Sequence, residues 1–88
     1  MNLSREVDFT ILRRKTVQLR TGYSRSTIYL RITQGLWPKP VRLGARAVGW
    51  PANEVAAINE ARIAGWSDAK IRALVAELVA QRTAGGAR

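Results

Sequence analysis

The sequence predicts a mainly α-helical domain with one small β-hairpin, arranged as a winged helix-turn-helix and followed by a further C-terminal helix. Three observations predict it. Gly22 and Gly35 punctuate a polar stretch at a spacing that suits two short helices joined by a tight turn. Pro38 and Pro40 follow at once, in a segment that forbids helix and favours extended backbone. Further on, Ile71, Leu74, Val75, Leu78 and Val79 form an apolar stripe at helical spacing.

Taken in order, residues 1–8 are polar and expected to be flexible. The run Phe9-Thr10-Ile11-Leu12 suits either a paired strand or a segment tucked beneath the domain. Arg14 to Thr21 reads as a short helix with Val17 and Leu19 as its apolar contributions, stopped by Gly22 in the left-handed region. Ser24 is a good N-cap for a second helix running to about Gln34, with Gly35 as its stop. Val41, Leu43, Val48 and Trp50 are the inward candidates of two short strands that turn at Gly44-Ala45-Arg46. That hairpin, Val41 to Trp50, stands where a wing would.

Pro51 opens a third helix, where its missing N–H costs nothing, and Val55, Ile58 and Ile63 give it an apolar side up to Gly65. Ser67 caps a last helix, Asp68 to about Arg82, with Asp68 at the positive end of the helix dipole. Trp66 is placed to fold onto Ile71 as a hydrophobic staple. The predicted organisation is therefore a winged helix-turn-helix over residues 9–65, a C-terminal helix over 66–82 and a disordered tail over 83–88.

Composition narrows the function. Eighty-eight residues with 47% hydrophobic content suit one small globular domain. The chain has no cysteine and no histidine, so disulfides, thiol catalysis, the usual zinc sites and the commonest general base are all missing. Six scattered acids offer neither a metal cluster nor a catalytic carboxylate pair. No enzymatic activity, metal or cofactor is expected. The first ten residues contain no apolar h-region, and no apolar run approaches the roughly 20 residues of a membrane span, so a soluble, cytoplasmic protein with no membrane partner is expected.

The formal net charge is +9, and its placement says more than its size. The six acids are Glu6, Asp8, Glu54, Glu60, Asp68 and Glu77, leaving none between Phe9 and Asn53. That interval holds nine bases: Arg13, Arg14, Lys15, Arg20, Arg25, Arg31, Lys39, Arg42 and Arg46. The six remaining bases balance the six acids, so the whole net charge sits on this block. Such a block repels itself unless it meets a polyanion, and double-stranded DNA is the expected partner.

At 100° per residue, Ile28, Ile32 and Gly35 fall on one side of the second helix and face the core. Ser26, Leu30 and Thr33 fall opposite, with Thr27 to one side and Arg25 and Tyr29 on the other flank. A helix of this length spans about 16 Å at about 1.5 Å per residue and fits the major groove of DNA. Arg25 suits a guanine fork or a phosphate clamp, and Ser26 and Thr27 can bond bases or backbone. Leu30 is placed for a thymine methyl or for packing under the wing or against a neighbouring molecule. Tyr29 is placed for packing or a phosphate contact. Ser24 caps the helix and is a further candidate contact. Lys15, Arg20, Arg31, Lys39, Arg42 and Arg46 are the candidate wing and phosphate contacts, with Arg46 at the hairpin tip the best placed. Trp37 and Trp50 are expected in the core.

The stretches "VQLRTGYSRSTIY", "GLWPKPVRLG" and "RAVGWPANEV" resemble the AlpA family of phage-type regulators, over about Ile11 to Ile63. The resemblance implies a winged helix-turn-helix DNA binder, related to the MerR and excisionase folds, from a bacterial cytoplasm and associated with the nucleoid. It places the recognition helix at Ser24 to Gln34 and the wing at Val41 to Trp50. It further implies either an excisionase, which bends the attachment site of a mobile element to direct a tyrosine-recombinase integrase toward excision, or a transcriptional regulator of such an element. Small size and a large positive field suit the excisionase. The C-terminal stripe, Ile71, Leu74, Val75, Leu78 and Val79, has two readings: packing on a core that is otherwise small, or a protein interface. The second is compatible with head-to-tail self-association along DNA, and with a protein-interaction module as the less favoured function.

Overall fold

The computed structural model describes residues 9–86, with side chains through Thr83. The expected flexible N-terminus, residues 1–8, lies outside the described residues, as do residues 87 and 88. Seven elements follow in order: β1 (Ile11–Leu12), α1 (Arg14–Thr21), α2 (Arg25–Thr33), β2 (Val41–Arg42), β3 (Val48–Pro51), α3 (Ala52–Ile63) and α4 (Asp68–Gly86). Four helices pack around a three-stranded antiparallel sheet of order β1-β3-β2. The architecture is a winged helix-turn-helix with an added helix.

The turn between α1 and α2 forms as its residues dictate. Gly22 takes φ 79°, a conformation that a side chain would strain, and its N–H bonds the carbonyl of Gln18. Ser24 then caps α2, its Oγ accepting from the Thr27 N–H at 3.2 Å. Val17 and Ile28 bury the facing sides of the two helices completely.

β3 is the central strand. It pairs β1 with Leu12 opposite Trp50 and Ile11 opposite Pro51, so the Phe9–Leu12 run ends in a strand and is not merely tucked away. On its other edge Gly49 stands opposite Val41 and Val48 opposite Arg42. A Cβ at Gly49 would lie 2.5 Å from Ile11 Cγ2 and 2.9 Å from the Leu12 carbonyl oxygen, so only glycine permits this close approach of strands. Pro51 ends β3 and stands just before the first helical residue, Ala52.

The core gathers Leu12, Val17, Ile28, Trp37, Trp50, Val55, Ile58 and Ile71, among others, from every helix and two strands. Both expected core tryptophans are there. Three apolar residues expected inward are not. Leu19 is 85% exposed because it stands about 200° around α1 from Val17. Ile63 is 86% exposed for the same reason: the buried side of α3 is Ala52, Val55, Ile58 and Ala61, and Ile63 lies about 140° from Ile58. Leu43 is 45% exposed because β2 ends at Arg42, leaving Leu43 in the turn with its N–H bonded to the Ala47 carbonyl.

α4 lies across this core. Ile71 and Val75 are buried, and Leu74, Leu78 and Val79 pack against the core half-buried. The stripe packs on the chain's own core, and two of its members, Val75 and Val79, also line an open groove. Ser67 caps the helix through the Lys70 N–H as expected, at 3.2 Å. Trp66 stays partly exposed, with the Lys70 ammonium 5.6 Å from its ring centre. The helix runs to Gly86, past the expected end at Arg82. No helix among the described residues is long and apolar enough to cross a membrane.

Two arginines fasten α4. Arg72 Nε donates to the Gln34 carbonyl at 2.8 Å. Arg82 donates from Nη2 to Glu54 Oε1 at 2.6 Å and to the Lys39 carbonyl at 2.9 Å, and from Nε to Glu54 Oε2 at 2.8 Å. Glu54 is the buried charged residue among those described, so its carboxylate depends on that fork. Arg82→Met removes the partner of a buried charge and is expected to lower stability by about 3 kcal/mol in urea unfolding, whereas Gln81→Met on the exposed side should change it little.

Candidate nucleic-acid interface

The functional face is built from three segments that the fold brings side by side. Arg13 precedes α1, and Arg14 and Lys15 occupy its first turn. Arg25 and Tyr29 lie on one flank of α2, and Arg46 stands at the tip of the hairpin. With Val48 these residues line one cleft, and no acid among the described residues contributes to it. Five cations converge there, and none of them takes part in an ion pair among the described residues.

Three of the cations are held by different devices. Arg13 Nε donates to the Val48 carbonyl at 3.1 Å and so ties the start of α1 to the wing. Arg14 Nε donates to Gln18 Oε1 at 3.2 Å, one turn along its own helix. The Arg25 guanidinium lies 6.0 Å from the Tyr29 ring centre, and that ring meets Trp50 edge-on at 6.4 Å. A buried tryptophan thus orients a tyrosine, which in turn offers its face to the arginine. Neither α1 nor α2 has an acid in its first turn, where the helix dipole would favour one.

The outward side of α2 matches the helical wheel. Arg25, Ser26, Tyr29, Leu30 and Thr33 are exposed, while Ile28 is buried and Ile32 half-buried. Leu30, at 55% exposure, is not covered by the wing. The hydroxyls are largely engaged with one another. Ser24 Oγ donates to Thr27 Oγ1 at 2.9 Å and lies 3.3 Å from Ser26 Oγ, while Thr33 Oγ1 donates to the Leu30 carbonyl at 2.7 Å. Lone pairs on those oxygens still offer acceptors, but Arg25 is the strongest donor on this face.

Of the six residues expected on the wing and phosphates, Lys15 and Arg46 reach the cleft. Arg42 is exposed on β2, outside its lining. Arg20 lies in the last turn of α1, where its carbonyl accepts from Asn59 Nδ2 at 3.0 Å. Lys39 lines a different groove, against α4. Arg31 is half-buried with its guanidinium 5.7 Å from the Tyr23 ring centre, so it packs inward at the back of α2. Arg13 and Arg14 are the gathered residues that sequence reasoning left off the contact list. Their signal was present in the acid-free block, but their convergence with Arg46 depends on the pairing of β1 with β3. Among the described residues no three His, Cys, Asp or Glu side chains come together as a metal group.

A family model described as "Prophage CP4-57 regulatory protein (AlpA)" matches residues 10–71. The chain belongs to the AlpA family. The matched region runs from β1 to the first turn of α4, so it contains the whole cleft and α2. The chain is also similar to "Uncharacterized protein ORF88" of Enterobacteria phage P4, 50% identical over 44 residues that span half of each chain. No solved structure matches it.

Unneutralised cations this close repel one another through solvent and oppose folding until an anion arrives. Lys15→Gln and Arg46→Gln are each expected to raise the melting temperature at low ionic strength. The gain should be worth less than about 1 kcal/mol and should vanish near 1 M salt, where the Debye length is about 3 Å. Calorimetry across a salt series checks both points.

Proposed function

We propose that this chain binds double-stranded DNA sequence-specifically as a regulatory protein of a mobile element. In this reading α2 enters the major groove, while the start of α1 and the wing tip hold the flanking phosphates. The observation that carries it is the convergence of five unpaired cations at the head of a helix whose outward side is small and polar apart from Leu30. Arg25, propped on Tyr29, is the base reader, and the exposed Leu30 suits a thymine methyl. Ser24, Ser26, Thr27 and Thr33 supply acceptors and hydroxyls to bases or backbone.

The output we favour is excision. Cations from α1 and the wing tip line one cleft, so they would neutralise phosphates on one side of the duplex and lower the cost of bending it toward the protein. A single domain of this size covers little DNA, so several copies side by side, acting with a tyrosine-recombinase integrase on the nucleoid, are the expected working form. Transcriptional regulation is the second reading, and the regulatory description of the matched family favours it. Circularly permuted fragments of the element's attachment site distinguish the two. A bent complex that stimulates excision by the element's integrase supports the first, and a straight complex that occludes a promoter supports the second.

Fluorescence anisotropy with a duplex tests DNA binding itself. Four to six phosphate contacts predict a log–log salt slope of about −4 to −5, and a flat salt dependence would refute the reading. Arg46→Ala should weaken binding to all sequences alike and reduce that slope by about one. Arg25→Ala should instead cost about 1–3 kcal/mol on the specific site and relax the preference at one base pair.

A further inference from the structure

A second concavity lies on a different part of the molecule. It runs between the C-terminal end of α2, the segment that leads into the wing, and α4, as an open groove of about 550 Å³. Ile32, Trp37, Val75 and Val79 give it an apolar lining, and Lys39 and Arg72 are its charged members. No acid lines it, and it shares no residue with the cationic cleft at the head of α2.

Two properties mark this groove as more than a packing seam. The first is its composition: an apolar floor that includes the buried Trp37 ring is bordered by two cations and, among the described residues, by no acid. The second is rigidity. The Arg72 bond to Gln34 and the Arg82 bond to Lys39 fasten α4 on both sides of the groove, so its shape exists before anything occupies it. It is open along its length, which suits a chain segment better than an enclosed small molecule.

We propose that this groove docks an acidic amphipathic segment of a partner protein, two apolar side chains entering between α2 and α4 and a carboxylate meeting Lys39 and Arg72. Charge complementarity selects that occupant. The groove sets two cations beside an apolar surface, so a basic or purely apolar segment would leave them unmatched. Because the cationic cleft is elsewhere, docking leaves the head of α2 accessible.

A selection of random 12-residue peptides on the full chain tests this, with heparin in excess to occupy the cationic cleft. The recovered peptides should combine paired apolar residues with Asp or Glu. They should move the Trp37 indole resonance, assigned by its loss in Trp37→Phe, and leave those of Trp50 and Trp66 in place. Ala76→Lys, at an exposed position lining the groove, should weaken binding at least tenfold although it adds positive charge, and Lys39→Glu should do the same. Recovery of no peptide would overturn the proposal, as would equal binding to Ala76→Lys, which would mean mere attraction of acid to base. Movement of the Trp37 resonance on raising the protein concentration alone would assign the groove to a second copy, and that too would overturn it.

Discussion

The central strand holds this domain together, and within it Trp50. Trp50 stands opposite Leu12 of β1, donates its indole N–H to the Pro38 carbonyl and meets the Tyr29 ring edge-on. One fully buried side chain therefore touches the strand before α1, the segment before the wing and the flank of α2. Its neighbours complete the connection. Gly49 admits β1 to close contact, and the Val48 carbonyl accepts from Arg13. The starts of α1 and α2 are thus both tied to β3, Arg13 through the Val48 carbonyl and Tyr29 through the Trp50 ring.

Charge divides the molecule into two parts with different work. From Phe9 to Asn53 no acid tempers nine bases, and five of these crowd one cleft. Beyond Asn53 the acids act locally: Glu54 receives the Arg82 fork, and Asp68 accepts from Arg62 at 3.1 Å. The fold is stabilised by α3 and α4, whose charges are matched, while among the described residues the basic half has no acid of its own. The resulting field opposes folding slightly.

Much of this was legible in the sequence where the signal is local. Gly22, Ser24 and Gly35 marked the helix-turn-helix through backbone conformation and capping, which depend on a few neighbouring residues. The wheel of α2 separated Ile28 from Leu30 and Thr33 for the same reason. Distant partners were not legible. The inward turn of Arg31 onto Tyr23, the capture of Lys39 beside α4 and the gathering of Arg13 and Arg14 with Arg46 all depend on which elements pack together. Leu43 misled because strand alternation was extended one residue past the end of β2, and Leu19 and Ile63 because apolar character was taken for direction. The role of α4 stayed open between core and interface because a stripe at helical spacing says that a helix is amphipathic, not what covers it.

What the structure does show is that α4 packs on the core and reaches the end of α2. A helix of nine residues is too short to be stable alone, and each of its ends needs partners for its backbone groups. Ser24 meets the first need from within the turn. The second is met by the Gly35 turn, where the Gly35 and Leu36 N–H groups bond the Ile32 and Arg31 carbonyls, and by Arg72 of α4, which donates to the Gln34 carbonyl and places a cation where the helix dipole is negative. The added helix therefore serves α2 from behind: it closes the core beneath α2 and adds a side-chain donor at its far end.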